Sequence, residues 1–253
     1  MLNFKVFGDG FPLVILHGVL GSLDNWQSIA KQLSAKYKVY ILDQRNHGKS
    51  FHSNEFSYQI LCDDILHFFD QVQIQKAHII GHSMGGKVAM LFAMQHPNKV
   101  DKLIIVDVAP VAYPDRHSHI FKALLSANLP QKESREDVET HLRNNLPKED
   151  EGTIQFLMKG LYRNDDNQFA WRFNANALWN AYQNISGNVS GAPFTGKTLF
   201  IKGAKSPYIN AENYGVIQEL FPNNELSEIK DAGHWVHAEK PKEFLEELNS
   251  FLL

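Results

Sequence analysis

A serine between two glycines is the first feature of the sequence that could perform chemistry. Gly81, Ser83 and Gly85 form a Gly-x-Ser-x-Gly pattern, with an apolar run at residues 77–80 before it and a helical pattern at residues 87–95 after it. A sharp bend between a strand and a helix strains the serine backbone, and glycines avoid Cβ clashes where the two elements converge. The pattern therefore predicts a nucleophilic Ser83 at the carboxyl edge of a sheet, beside a helix N-terminus that favours negative charge.

A histidine near the end of the chain could supply the base that this serine needs. A serine hydroxyl is a poor nucleophile unless a neighbouring base takes its proton during attack. His234 follows Gly233 in a turn between the last predicted strand and the last predicted helix. Because ligands of open α/β sheets collect at the carboxyl ends of the strands, this turn could bring His234 to Ser83. We therefore predict that His234 is the base.

Backbone amides at two turns could stabilise the negative charge that develops during the reaction. The sequence His-Gly-Val-Leu-Gly at residues 17–21 ends an earlier predicted strand, opposite the serine turn. The amides of Val19 and Met84 could bind the oxygen anion of a tetrahedral intermediate, and fixed donors of this type stabilise a transition state by ~3 kcal/mol each. The amide of Leu20 remains an alternative to that of Val19.

These residues need a scaffold, and alternating strand and helix patterns predict one. Continuous apolar runs predict buried strands, and apolar residues at helical spacing predict the helices between them. The strands are expected near residues 4–7, 12–16, 38–43, 77–80, 103–107, 198–201 and 226–229. Such alternation predicts an α/β fold in which a mostly parallel sheet carries helices on both faces.

The alternation stops between residues 111 and 191. This stretch has no convincing strand and many charges, and its helical patterns lie near residues 117–127, 135–145, 149–162 and 177–185. We predict a core formed by residues 1–110 and 192–253. Residues 111–191 are predicted to form a helical cap over the carboxyl edge of the sheet.

Composition narrows the classes of partner and compartment. A net charge of −3 and a pI near 6.5 argue against nucleic acid as a bulk partner. The single cysteine, Cys62, excludes an intramolecular disulfide and is expected to be a small buried residue. There is no signal-peptide pattern at the N-terminus, and no apolar run approaches the ~18 residues that span a bilayer. We expect a cytoplasmic protein with no membrane span, cofactor or metal, and no pattern predicts its oligomeric state.

Together these motifs resemble those of the α/β-hydrolase superfamily along nearly the whole chain. They are His-Gly at residues 17–18, Asp-Gln-Arg-Asn-His-Gly-Lys-Ser at 43–50, Gly-His-Ser-Met-Gly-Gly at 81–86 and Gly-His at 233–234. Three further runs closely resemble the bacterial esterase YbfF group: Asp-Val-Ala-Pro at 107–110, Trp-Arg-Phe-Asn at 171–174 and Ser-Pro-Tyr at 206–208. The resemblance implies an esterase or thioesterase for substrates of modest size, with acyl-CoA thioesters among the candidates.

The acid of the catalytic set departs from the commonest pattern of the superfamily, which has an aspartate after the penultimate strand. This sequence has Ser206 in that region, and a hydroxyl cannot carry the negative charge that stabilises an imidazolium. Asp107, at the end of the strand before it, can supply that charge. The resemblance to the YbfF group implies this arrangement, with a serine as fourth member. We predict Asp107 as the acid and Ser206 as a hydrogen-bond partner of the acid or of His234.

Three other carboxylates are weaker candidates for the acid. Asp231 is too close in sequence to His234 to reach the far nitrogen of its ring easily. Asp43 lies in a self-contained turn, with Arg45 as an expected structural partner, and Asp115 belongs to the predicted cap.

The predicted function is that of a serine hydrolase that cleaves small-molecule carboxylic esters or thioesters through an acyl-enzyme on Ser83. A serine at this position argues against haloalkane dehalogenase and epoxide hydrolase chemistry, where the attacking group is a carboxylate. Leu20, Trp179 and Trp235 are predicted to contact the substrate. Two alternatives remain open: a small-molecule receptor built on the same fold, and a carbon–carbon bond hydrolase that shares the triad.

Overall fold

The apolar runs of the sequence form the strands of a seven-stranded sheet in the computed structural model, which describes all 253 residues. The chain has nine strands, of which all but β6 and β7 belong to this sheet: β1 Phe4–Phe7, β2 Phe11–Leu16, β3 Tyr37–Leu42, β4 Ala77–His82, β5 Val100–Val106, β6 Leu161–Arg163, β7 Phe169–Trp171, β8 Lys197–Gly203 and β9 Asn224–Ile229. The large sheet has the order β1-β3-β2-β4-β5-β8-β9, and only β1 runs antiparallel to its neighbour. The predicted α/β fold with a mostly parallel sheet is confirmed.

Eleven α-helices connect or cover these strands. They are α1 Gln27–Leu33, α2 Tyr58–Gln71, α3 Met84–Gln95, α4 Ser118–Leu125, α5 Arg135–Asn145, α6 Glu151–Lys159, α7 Ala175–Asn180, α8 Tyr182–Ser186, α9 Tyr214–Leu220, α10 Val236–Glu239 and α11 Pro241–Leu252. No helix is both long and apolar enough to cross a membrane.

Helices cover both faces of the sheet because successive strand residues point to opposite sides. Val14 and Leu16 belong to a hydrophobic cluster that includes α2, α3 and α9. Leu13 and Ile15 belong to a second cluster, which includes α1 and α11. The nearly continuous apolar strands of the sequence are therefore explained by burial on both sides.

Residues 111–191, called the helical segment below, lie between β5 and β8 and contain α4 to α8. The expectation that they hold no strand is wrong, because β6 and β7 pair as a short antiparallel hairpin. Strands of three residues are too short to give a period-two signal in the sequence. Buried residues of α4 to α8 belong to the same hydrophobic cluster as α2 and α3, so the helical segment packs continuously with that layer.

Strand register sets the positions of the predicted catalytic residues. His82 in β4 is paired with Val106 in β5, and Val106 is in turn paired with Ile201 in β8. Ser83 and Asp107 each follow the last residue of their strand, so they leave neighbouring strands at the same level of the sheet.

Candidate active site

The turn at Ser83 has the strained geometry that the glycine pattern predicts. Ser83 has φ 52° and ψ −119°, a conformation that L-residues rarely adopt, and its amide donates to the carbonyl of Val106 at 3.1 Å. A Cβ on Gly81 would lie 2.7 Å from the Cα of Gly86, and one on Gly85 would lie 2.5 Å from the carbonyl oxygen of His17. Glycine at these positions is therefore required for α3 to start directly behind the serine.

His234 and Asp107 are joined by a hydrogen bond of 2.7 Å between Nδ1 of the imidazole and Oδ2 of the carboxylate. A carboxylate only accepts, so the proton lies on Nδ1 and the lone pair of Nε2 remains available. Ser83 and His234 both line one large cavity, although no direct hydrogen bond joins their side chains. Such contacts are often long in ligand-free enzymes and tighten when substrate binds.

Asp107 is fully buried and receives hydrogen bonds from three directions. Besides His234, the amide of Gly203 donates to Oδ1 at 3.0 Å and the hydroxyl of Ser206 donates to Oδ2. The structure brings Ser206 to Asp107 because β5 and β8 are neighbours in the sheet. A buried carboxylate needs such donors to remain charged, and here they also fix its orientation toward the imidazole.

The structure shows which of the two candidate amides in the 17–21 turn is free to bind an oxygen anion. The amide of Leu20 donates to Nε2 of His47 at 3.2 Å, so it is already engaged. The amide of Val19 has no acceptor in the protein. Met84 is the first residue of α3, and the first amides of a helix lack an intrahelical acceptor. Val19 and Met84 are therefore the free pair of donors beside Ser83.

Two buried histidines hold this turn in place. His17 donates from Nδ1 to the carbonyl of Gly18 at 2.8 Å and accepts from the amide of Gln44 at 3.1 Å. His47 donates to the carbonyl of Arg45 at 2.9 Å and accepts from Leu20. Burial lowers the pKa of both imidazoles, which keeps them neutral so that each ring can donate and accept.

His82 links the serine turn to the loop that carries the base. Its Nε2 lies 2.9 Å from the carbonyl oxygen of His234, to which it donates, and the two rings are 4.7 Å apart. Burial lowers the pKa of His82 well below its usual value, so the ring carries no charge that would repel an imidazolium at His234. His82, the residue before the predicted nucleophile, thus holds the backbone of the predicted base.

The cavity that contains Ser83 and His234 has a volume of about 970 Å³. Leu20 and Trp235, both predicted substrate contacts, line it. Trp179 does not; it stacks on Tyr182 with ring centres 6.1 Å apart and packs against Phe121.

Two further residues contribute to this site beyond the predicted set. Arg116 lines the cavity, and its guanidinium lies 5.2 Å from the ring centre of Tyr208. Tyr208 stacks directly on His234, with ring centres 4.1 Å apart. The Ser-Pro-Tyr run was the only signal in the sequence for Tyr208, and no local pattern distinguishes Arg116 from the other charges of the helical segment.

The weaker candidates for the acid have other partners. Asp43 accepts from the amides of Leu23 at 2.8 Å and Lys49 at 2.9 Å, which makes it a turn-stabilising residue. Arg45 does not pair with Asp43; it forms a two-pronged salt bridge with Asp64 on α2.

The two remaining candidates for the acid, Asp231 and Asp115, also have other partners. Asp231 lies 3.5 Å from Lys205, and Asp115 accepts from the amide of Ser118 at 3.0 Å. No group of three or more histidine, cysteine, aspartate or glutamate side chains is arranged to hold a metal ion.

Comparison with known proteins settles the family. A family model described as "alpha/beta hydrolase fold" matches residues 12–241. The chain belongs to the α/β-hydrolase family. It is 36% identical to "Esterase YbfF" of Escherichia coli over 242 residues, which cover 95% of this chain and 92% of that protein. The predicted relationship to the YbfF group is therefore confirmed.

Two further relatives are similar over nearly the whole chain. "sn-1-specific diacylglycerol lipase ABHD11" of Danio rerio is 38% identical over 263 residues, which cover 99% of this chain and 82% of the relative. A solved structure titled "Marine microorganism esterase" has a TM-score of 0.96 and 38% identity, and it covers 99% of this chain and 98% of its own. The predicted enzyme class, a carboxylic ester hydrolase, agrees with the names of all three relatives.

Proposed function

We propose that this α/β-hydrolase cleaves carboxylic esters or thioesters through an acyl-enzyme on Ser83, with His234 as base and Asp107 as acid. The observation that carries the proposal is the 2.7 Å bond from His234 to the buried carboxylate of Asp107, in a cavity that Ser83 also lines. This bond fixes the tautomer in which Nε2 can accept the proton of the serine.

The reaction then follows from the positions of the groups. The oxygen of Ser83 attacks the substrate carbonyl carbon while its proton passes to Nε2 of His234, and the carbonyl oxygen becomes an anion that Val19 and Met84 can bind. Collapse of this intermediate breaks the bond to the alcohol or thiol, which takes the proton from His234. Water, deprotonated by the same histidine, then attacks the acyl carbon. Collapse of this second intermediate breaks the bond between that carbon and the Ser83 oxygen, which takes the proton back from His234 as the acid is released.

The proposal also covers which acyl group and leaving group the substrate carries. We infer that the helical segment acts as a cap whose wall, including Phe156 and Arg116, encloses the acyl group and part of the leaving group. The cavity of about 970 Å³ is lined by five carboxylates and three cations, and among the cations Arg116 has a buried Nε without a hydrogen-bond partner. This guanidinium supports a substrate whose anionic portion reaches it, such as an acyl-CoA thioester. A cytoplasmic location stays a prediction from the sequence.

The decisive experiment measures turnover of p-nitrophenyl butyrate. Ser83→Ala and His234→Ala are expected to reduce kcat to near background without changing the circular dichroism spectrum, because each removes one reacting group. Ser250→Ala, at an exposed serine on α11, is the matched control and should retain full activity. A serine-directed organophosphorus reagent should add one label, at Ser83, as read by mass spectrometry.

The same assays separate the alternatives. Saturable binding without repeated turnover would instead support a receptor, and turnover of β-diketones in preference to esters would support a carbon–carbon bond hydrolase. For the thioester class, we expect an acyl-CoA to be cleaved with higher kcat/KM than the matching acyl-pantetheine, which lacks the nucleotide phosphates. Equal values would remove the support that Arg116 gives to an anionic leaving group.

A further inference from the structure

Lys87 on α3 is a buried cation without a carboxylate partner. Its side chain is 1% exposed, and no salt bridge of the protein includes it. The ammonium donates instead to three backbone carbonyls, those of Val111 at 2.9 Å, Ser186 at 3.2 Å and Gly187. An ammonium offers three donors and no acceptor, so these three bonds account for its full capacity.

The three carbonyls lie where the chain enters and leaves the helical segment. The entering and leaving segments also bond to each other. The amide of Tyr113 donates to the carbonyl of Ser186 at 2.8 Å, and the amide of Val189 donates to the carbonyl of Pro110 at 3.3 Å. We call this meeting point, residues 110–113 and 185–189, the neck. Lys87 is therefore bonded to both sides of the neck at once.

Two tyrosines complete the attachment of the neck to the core. The hydroxyl of Tyr58, on α2, donates to the carbonyl of Ile185 at 2.6 Å, and the Lys87 ammonium lies 4.7 Å from the ring centre of Tyr113. The hydroxyl of Tyr113 then donates to the carbonyl of Tyr208 at 2.6 Å, and Tyr208 stacks on His234. The neck is therefore connected to the ring of His234 through Tyr113 and Tyr208.

The neck also forms a wall beside the nucleophile. Lys87, Tyr113 and Ser186 line a small cavity of about 30 Å³ together with Ser83 and Met84. Lys87 lies one helical turn after Ser83, and its own amide donates to the Ser83 carbonyl at 3.1 Å. The side chain that fixes the neck and the serine that attacks the substrate are therefore held by the same helical turn.

We propose that Lys87 is a positioning residue whose terminal amino group locks both ends of the helical segment to the nucleophile helix and so holds the neck against Ser83. It touches no reacting atom, and it acts through the neck. The kinetic consequence rests on the proposed function, whereas the structural consequence does not. Both can therefore be measured separately.

The structural test compares Lys87→Met with Lys102→Met by hydrogen–deuterium exchange. Lys102 is a matched control because its ammonium also donates to a backbone carbonyl, that of Phe251 at 2.8 Å, far from the neck in the fold. We expect the amides of Tyr113 and Val189 to exchange at least tenfold faster in Lys87→Met and at the wild-type rate in Lys102→Met. Unchanged exchange at the neck in Lys87→Met overturns the proposal.

The kinetic test uses p-nitrophenyl esters of two lengths. For Lys87→Met we expect KM for the octanoate to rise about tenfold while kcat for the acetate changes less than threefold, since a loosened wall affects a long acyl chain most. Equal losses for both esters would place Lys87 in the chemistry and contradict the proposal. Lys87→Gln, which keeps two N–H donors, should lie between Lys87→Met and wild type, and it carries both tests if Lys87→Met does not fold. Absence of esterase activity in the wild type would refute the proposed function alone, because the exchange result does not depend on turnover.

Discussion

At the scale of single residues, the proposed chemistry depends on a carboxylate that has no contact with solvent. Asp107 is 0% exposed, and it accepts hydrogen bonds from Gly203, Ser206 and His234. Gly203 and Ser206 belong to the end of β8 and the turn that follows it, whereas His234 lies in the loop after β9. In the proposed mechanism, Asp107 would therefore stabilise an imidazolium at His234 while it also aligns the end of β8 with the loop after β9.

Asp107→Asn should lower kcat by about 10⁴, as in other serine triads. An amide in this position can donate to Nδ1, which favours the tautomer with a proton on Nε2 and removes the charge that stabilises the imidazolium. Steady-state kinetics on a p-nitrophenyl ester measure the effect, and an unchanged thermal transition shows that the fold is retained. If most of the activity remains, the acid is another carboxylate, and Asp231 is then the next to substitute.

Ser206→Ala should have a smaller effect, a reduction in kcat of about tenfold to a hundredfold with little change in KM. The hydroxyl donates to Asp107 and accepts from the amide of Tyr208 at 3.3 Å, so its loss leaves the charge in place but loosens its orientation. Steady-state kinetics measured on Ser206→Ala and Asp107→Asn with the same ester allow the two losses in kcat to be compared. A loss as large as that of Asp107→Asn would make Ser206 an equal member of the catalytic set.

At the scale of elements, an exposed carboxylate bonds to the loop between β9 and α10 on both sides of His234. Glu239 accepts from the amide of Gly233 at 2.7 Å and from that of Trp235 at 3.1 Å, the two residues that flank His234. These bonds satisfy two backbone amides that lie in a loop, outside any strand or helix. The carboxylate thus limits the backbone movement of His234.

Glu239→Ala should therefore lower kcat about tenfold while KM changes little, because the ring of His234 loses its fixed approach to Ser83. Glu243→Ala is the matched control: this residue is an exposed acid in the first turn of the neighbouring helix α11 and bonds to neither amide. The kinetic constants of both variants on one ester test the assignment. Equal activity of the two variants would show that the loop is held without Glu239.

The sequence predicts best those elements that are encoded locally. All seven strands of the large sheet are predicted from local strand patterns, and the turn at Ser83 follows from glycines whose Cβ atoms would clash. The predicted helix at 149–162 instead ends at Lys159, and β6 begins two residues later. Its apolar residues fit a helix and a short strand equally well, and only pairing with β7 decides between them.

Contacts between distant parts of the chain could not be predicted in this way. Nothing local shows that Arg45 pairs with Asp64, or that Leu20 gives its amide to His47. The placing of Asp107 beside Ser206 is an intermediate case, because it depends on β5 and β8 being neighbours, which the resemblance implied and spacing alone did not.

At the scale of the whole molecule, burying the ammonium of Lys87 beside the larger hydrophobic cluster costs free energy of hydration. Residues 84–94 of α3 are all buried, and Lys87 is the one ionisable side chain among them. Burial lowers the pKa of Lys87 to about 7, since the charged form loses its hydration. Three carbonyls and two aromatic rings compensate for part of that loss.

This lowered pKa predicts how the stability of the protein depends on pH. In the unfolded chain a lysine keeps its proton up to about pH 10.4, so between pH 7 and 10 the unfolded state binds more protons than the folded state. The free energy of unfolding must therefore rise with pH in this window, by at most about 1.4 kcal/mol per pH unit from this group. Below pH 7 both states are protonated and the contribution becomes constant.

Urea denaturation of wild type and Lys87→Gln at several values between pH 6 and 9.5 measures this contribution. We subtract the free energy of unfolding of Lys87→Gln from that of the wild type. This difference should be constant near pH 6 and should rise steadily with pH above pH 7. Burial raises the pKa of Tyr58 and Tyr113, so their ionisation in the unfolded chain opposes the trend only above about pH 10. Two curves that stay parallel up to pH 9.5 would mean that Lys87 keeps its proton in the folded protein, and the neck would then be held by a permanent charge.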